Sequence, residues 1–127
     1  MTEFVLDASA ILAQLQGEPG GERVASHLDD AWVSAVNLAE VAQKLVNDGA
    51  SDQGVRDTLA DLPCDVVDFD RAMAIRVGLL RRTTRERGLS LGDRACLALA
   101  ERLGLPVLTA DRAWAELDLG IEVVLIR

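Results

Sequence analysis

Four carboxylates stand where the chain passes from an apolar run or loop into a segment of helical period. They are Asp7 in Val5-Leu6-Asp7-Ala8-Ser9, Glu40 in Asn37-Leu38-Ala39-Glu40, Asp93 in Leu91-Gly92-Asp93 and Asp111 in Thr109-Ala110-Asp111. Gathered in one crevice, such acids repel, and their pKa values rise unless a cation neutralises them. Oxygen-only donors suit a hard cation such as Mg²⁺ or Mn²⁺. A site of that kind polarises a phosphate, lowers the pKa of a bound water and steadies a leaving oxygen. Each acid also has a plain structural explanation, because carboxylates favour helix N-termini. Asp7 and Asp111 suit simple caps. Asn37 with Glu40, and Ser90 with Asp93, have capping-box spacing, and Glu40 is one turn from Lys44.

The crevice requires a particular arrangement of elements. Phe4–Leu6, Ala31–Val36, Cys64–Phe69, Pro106–Thr109 and Ile121–Ile126 have the length and composition of strands. Between them lie helical stretches at Ser9–Gln16, Glu22–Leu28, Asn37–Asn47, Asp52–Leu62, Asp70 to about Arg87, Gly92–Leu103 and Asp111–Leu117, with breakers such as Pro63, Gly88, Gly104 and Pro106. Strands separated by helices predict an α/β fold with a parallel sheet joined by right-handed crossovers. Near-continuous apolar strands imply a sheet covered on both faces. Ligands of such sheets collect outside the carboxyl ends of the strands, where the acids fall.

Composition narrows the alternatives. A chain of 127 residues, half of them hydrophobic, has the length of one domain, spanning 1–127, and enough apolar residues for a core. The net charge of -8 argues against an RNA-coating or polybasic membrane protein. Cys64 and Cys96 are far apart, and His27 is the only histidine, so neither a zinc site nor a disulfide framework is expected. Two scattered thiols suit a reducing cytoplasm. Met1-Thr2-Glu3-Phe4 carries no basic stretch leading into an apolar run, so no signal peptide is expected, and no apolar stretch is long enough for a membrane span. A Ser-His-Asp triad would have to use His27, which lies in a polar segment and is read as a surface residue.

In family order and at family-like spacing, Val5-Leu6-Asp7-Ala8-Ser9-Ala10, Asn37-Leu38-Ala39-Glu40-Val41, Leu91-Gly92-Asp93-Arg94-Ala95 and Leu108-Thr109-Ala110-Asp111-Arg112-Ala113-Trp114 resemble the PIN domain. The resemblance is strongest to the small toxin nucleases of VapBC toxin–antitoxin systems, and it spans essentially the whole chain. It implies a three-layer α/β/α fold with a central parallel sheet of about four to five strands. It also implies a Mg²⁺- or Mn²⁺-dependent ribonuclease, a hydrolase leaving 5′-phosphate and 3′-hydroxyl ends by in-line attack of water. Carried over, Asp7, Glu40, Asp93 and Asp111 form the acidic quartet. Asp7, Asp93 and Asp111 are then the direct ligands, and Glu40 acts through water or orients the nucleophile. Ser9 and Thr109 would support the ligands through water or a carboxylate, and Asn37 would help shape the site or cap its helix. A homodimer and an antitoxin of VapB type, laying a C-terminal segment across the active-site groove, are implied by the same resemblance. The apolar residues of Ile11–Gln16 and Leu38–Val46 either line such a groove or pack in the core.

Acids predominate through residue 70 and bases thereafter. Arg71, Arg76, Arg81, Arg82, Arg85 and Arg87 fall on or just after one helix, as an RNA-backbone face or as a helix end favoured by the dipole. Arg81, Arg82 and Arg85 are the RNA-binding candidates, with Arg94 and Arg112 as phosphate contacts or counter-ions beside the acids. With only Phe4, Phe69, Trp32 and Trp114 aromatic, base stacking is a minor source of affinity. Competing classes fit less well. An aspartyl phosphatase of haloacid-dehalogenase type needs a second acid where Ser9 stands. A receiver module needs paired acids and a late lysine, and Lys44 is the only lysine. A stand-alone RNA-processing nuclease, or a non-catalytic RNA- or protein-binding domain with capping acids, stays open.

Overall fold

The computed structural model describes residues 3–127; Met1 and Thr2, part of the start read above for a leader, lie outside the described residues. Five strands, β1 (Phe4–Leu6), β2 (Ala31–Ser34), β3 (Asp65–Val67), β4 (Val107–Thr109) and β5 (Val123–Leu125), form one sheet in the order β3-β2-β1-β4-β5. Every pairing is parallel, with Phe4 opposite Ala31, Val5 opposite Val107, Trp32 opposite Asp65 and Val107 opposite Val123. Six helices connect the strands: α1 (Ala8–Leu15), α2 (Gly21–Ala25), α3 (Ala35–Asn47), α4 (Asp52–Ala60), α5 (Arg71–Thr84) and α6 (Leu91–Leu103). No helix among the described residues is long and apolar enough to cross a membrane.

The period of two along a strand divides the core. Phe4, Leu6, Val33 and Leu108 face a layer built from Ala10, Ile11 and Ala13 of α1, Val24 of α2 and Val41 of α3. Val5 and Val107 face the opposite layer, with Met73, Val77 and Leu80 of α5, the apolar face of α6 and Trp114. Val5, Leu6, Val33, Val107 and Leu108 are completely buried, as a sheet sandwiched between two helical layers requires. The expected three-layer α/β/α architecture is therefore the observed one.

Element ends depart from the sequence reading in instructive ways. β1 has its expected bounds, whereas the other four strands are shorter than their apolar runs, because residues beyond the paired ones belong to loops or helices. The 3₁₀ turns Arg85–Arg87 and Arg112–Glu116 stand within the helices expected at Asp70 to about Arg87 and at Asp111–Leu117, and Leu28–Asp30 meets the expected Glu22–Leu28 only at Leu28. Gly20 has φ +89°, and a Cβ there would collide with the Ile126 carbonyl; Gly21 lies equally close to the Ala13 carbonyl. These two glycines let α2 cross α1 and the C-terminal strand at backbone contact. His27 is half-buried, its ring edge-on to Phe4 with centroids 4.8 Å apart, which corrects its reading as a surface residue.

Candidate active site

β1 lies at the middle of the sheet and the chain winds outward on both sides of it, so the crevice between β1 and β4 opens at their carboxyl ends. Asp7 is the first residue past β1. It caps α1 by accepting the Ala10 N–H at 2.9 Å. The same Oδ1 accepts the Ser9 hydroxyl at 2.7 Å, and Oδ2 accepts the Thr109 hydroxyl at 2.6 Å. Asp7 is only 6% exposed. Burial, partly offset by these three donors and reinforced by the Asp93 charge, pushes its carboxyl from 3.8 up to about 6.

Asp93 sits in the first turn of α6 and closes a complete capping box. Its Oδ2 accepts the Ser90 N–H at 2.9 Å, and its own N–H donates to the Ser90 hydroxyl at 3.1 Å. The expected box is present, and its acid also reaches Asp7 electrostatically. Glu40 extends from α3 toward the same α6 turn, where Asn37 Nδ2 donates to its Oε1 at 2.8 Å and to the Gly92 carbonyl at 3.0 Å. Cys96, one turn beyond Asp93, is completely buried. Desolvation, then the charges of Asp7, Asp93 and Glu40, pushes its thiol well above the ordinary range. Three of the four acids thus act electrostatically on the same buried thiol. Asp111 stands further out and exposed, capping the last 3₁₀ turn through the Ala113 N–H at 3.1 Å. It joins the others through Thr109, whose hydroxyl accepts the Asp111 N–H at 3.0 Å while donating to Asp7. Ser9 closes the network by accepting the Ala110 N–H at 3.0 Å.

Several expectations are corrected. The N-cap of α3 is Ser34, which accepts the Val36 N–H, so Asn37 lies inside the helix and does not cap it. Its amide is free to bridge α3 and α6 because the helix begins two residues earlier than its apolar stripe suggests. Lys44 pairs with Asp48 at 2.9 Å, not with Glu40. Arg94 is not a counter-ion to the acids in this arrangement. It donates to the Val77 carbonyl at 2.9 Å and the Ser90 carbonyl at 3.3 Å, tying α5 to α6. Arg112 turns away from Asp111 to the Arg127 carbonyl at 3.3 Å. Along α5, Arg76 is held bidentately by Glu101 with both contacts at 2.7 Å, and Arg87 pairs with Glu116 at 3.5 Å. Arg81, Arg82 and Arg85 are exposed and have no ion-pair or hydrogen-bond partner among the described residues. Arg81 and Arg82 lie in the last turn of α5 and Arg85 in the 3₁₀ turn after it, on the segment that leads into the α6 turn carrying Asp93. Ile11 and Val41 pack in the core, whereas Val46, Val55 and Leu59 line an open apolar groove between α3 and α4.

The donor set suits a hard cation by type, all oxygen, with Asp7 already fixed by three hydrogen bonds. Among the described residues no three such side chains stand close enough together to hold an ion as they are placed, so ligation requires the exposed Glu40 or the half-buried Asp93 to turn inward. Sequence reasoning missed Gly92 and Cys96 as parts of this region. The signal available was their position, directly before Asp93 and one helical turn after it.

Comparison with curated protein sequences finds no match. Among solved structures, the DNA-bound VapBC of Salmonella typhimurium superposes with a TM-score of 0.76 at 22% identity, covering all of both chains. VapC20 of Mycobacterium tuberculosis, described as a sarcin-ricin loop cleaving toxin, gives 0.72 at 15% identity over 94% of this chain and 99% of that one. VapBC-5 of Mycobacterium tuberculosis gives 0.62 at 28% identity over 100% and 99%. The PIN domain model matches residues 4–119, from the first residue of β1 to the loop before β5. By that match, and with the same fold as these structures, the chain belongs to the PIN domain family.

Proposed function

We propose that the chain is a Mg²⁺- or Mn²⁺-dependent endoribonuclease and the toxin of a type II toxin–antitoxin pair. The observation that carries this reading is the buried Asp7 at the carboxyl ends of β1 and β4, bonded through Thr109 to Asp111, with the Glu40 carboxylate and Asp93 both at the first turn of α6. A buried carboxylate with a second acid's charge close by is costly to a fold unless a cation offsets it. Membership of the PIN family and likeness to VapBC structures support the toxin role, and likeness to a toxin described as cleaving the sarcin-ricin loop fits an RNA substrate. Likeness to VapBC complexes likewise favours a VapB-type antitoxin.

A bound divalent ion supplies charge for the scissile phosphate and a water of lowered pKa. Asp7, Asp93 and Glu40 would hold it, with Asp111 reaching it through water. Asp7 is pre-oriented by Ser9, Thr109 and the Ala10 N–H, so one donor is in place before the ion arrives. Thr109 couples Asp111 to Asp7, and Asn37 restrains Glu40. Arg81, Arg82 and Arg85 offer guanidinium groups to the RNA backbone beside the acidic end. The test is cleavage of cellular RNA by the purified chain with Mg²⁺ or Mn²⁺ and with EDTA. Asp7→Asn and Asp93→Asn should lose cleavage while keeping a wild-type circular dichroism spectrum. Undiminished cleavage by both variants refutes the assignment. A neighbouring reading frame encoding a small DNA-binding protein that suppresses cleavage is expected of a toxin.

A further inference from the structure

Gly92 occupies the second residue of α6, in ordinary helical backbone with no positive φ. A glycine in such a place weakens a helix relative to alanine, and conformation gives no reason for it. Space gives one. A Cβ built on Gly92 would overlap both carboxylate oxygens of Glu40 and lie 2.5 Å from its Cδ, and the three nearest atoms are all from that one carboxyl group. The same peptide is gripped from the other side. Asn37, 1% exposed, spends one Nδ2 proton on the Gly92 carbonyl and the other on Glu40 Oε1. Its Oδ1 is buried without a partner, a cost this side chain carries while making those two bonds. Asn37 and Glu40 are three residues apart on α3, so they share a helix face and meet α6 together.

We propose that Gly92 and Asn37 are positioning residues that set where the Glu40 carboxylate stands, Gly92 by leaving room for it against α6 and Asn37 by bonding it to the Gly92 peptide. This rests on the nuclease reading for its catalytic consequence, but not for its geometry. The atoms that a Gly92 side chain would displace are the far end of a flexible chain. A methyl group there moves Glu40 and leaves the backbone where it is.

The experiment uses the full chain carrying Gly92→Ala. The expected melting temperature is equal to or above wild type, because the helix gains an alanine. In the metal-free protein, the Asn37 side-chain amide resonances should move from their wild-type positions as the bond to Glu40 is lost. Mn²⁺ affinity by calorimetry should fall at least tenfold, and kcat for RNA cleavage at least tenfold, with KM for RNA within twofold of wild type. Glu40→Asp, which shortens the side chain, should lower kcat in the wild-type background and raise it at least threefold in the Gly92→Ala background. Unmoved Asn37 amide resonances, or equal losses from Glu40→Asp in both backgrounds, overturn the proposal. A wild-type chain that neither binds Mn²⁺ nor cleaves RNA overturns the nuclease reading instead, and the amide resonances then decide the positioning roles alone.

Discussion

Replacing Asp7 by asparagine should make the metal-free protein more stable at neutral pH while abolishing cleavage. Asp7 is 6% exposed, and its carboxyl is pushed from 3.8 to about 6, chiefly by desolvation. An acid with a raised folded pKa holds its proton more tightly in the folded chain. Its contribution is therefore most favourable below pH 3.8, declines as pH rises toward 6, and is fully lost above 6. At about 1.36 kcal/mol per unit, the ionised carboxylate costs the fold about 3 kcal/mol at pH 7.5. Asparagine is neutral throughout. Its Oδ1 can keep the Ser9 and Ala10 donors, and the Thr109 hydroxyl can rotate to accept from its Nδ2. Urea unfolding in EDTA should show Asp7→Asn more stable by about 2–3 kcal/mol at pH 7.5, roughly 5–10 °C in melting temperature, with the difference vanishing near pH 3.5. Saturating Mn²⁺ should stabilise wild type by about 3 kcal/mol at a hundredfold excess over Kd, and the variant far less. A variant less stable than wild type at pH 7.5 without metal refutes the view of Asp7 as a buried charge awaiting a cation.

Other perturbations give distinct outcomes. Arg81→Ala with Arg82→Ala should weaken RNA binding and lower the slope of log affinity against log salt by about 1.4, two phosphate contacts on a single strand; an unchanged slope moves the binding face elsewhere. Cys96, buried with its thiol pushed up, should resist iodoacetamide in the native protein and react only on unfolding, as mass spectrometry can show. Arg76→Ala should cost under about 1 kcal/mol in denaturant titration despite two 2.7 Å bonds to Glu101, because both side chains are about two-fifths exposed. Leu6→Ala, in contrast, empties a fully buried position between β1 and the α1 layer and should cost about 2–5 kcal/mol in the same titration.

Local signals carried the fold a long way. Apolar runs marked every strand, with Pro63, Pro106 and Gly120 at the starts of β3, β4 and β5, and the alternation of Phe4, Val5 and Leu6 between the two layers is what a doubly covered parallel sheet demands. Asp7 and the Ser90–Asp93 box were legible because caps are made within three residues. Partners across the fold were not. Asn37 looked like a cap until Ser34 took that place, and its bond to Gly92 spans distant helices. Arg94 lies beside an acid in sequence, yet helix geometry turns its guanidinium to the Val77 carbonyl of the neighbouring helix. Among the arginines of α5 and the turn after it, only the tertiary structure separates Arg76, engaged by Glu101, from Arg81, Arg82 and Arg85, which have no partner among the described residues.

The central place of β1 also governs when the site can exist. Its partner β2 emerges soon after it, but β4 follows only near the end of the chain. The Thr109–Asp7 bond joins residues 102 positions apart. Loops that long close late, after local hairpins and helix pairs have formed. During synthesis the β1-β2-β3 half can assemble with Asp7 at an open sheet edge, while the α6 turn bearing Asp93 and the strand bearing Thr109 are still to be made. The acidic centre is completed by α6 and β4, so a growing polypeptide stays without its assembled site until the residues through Thr109 have been translated.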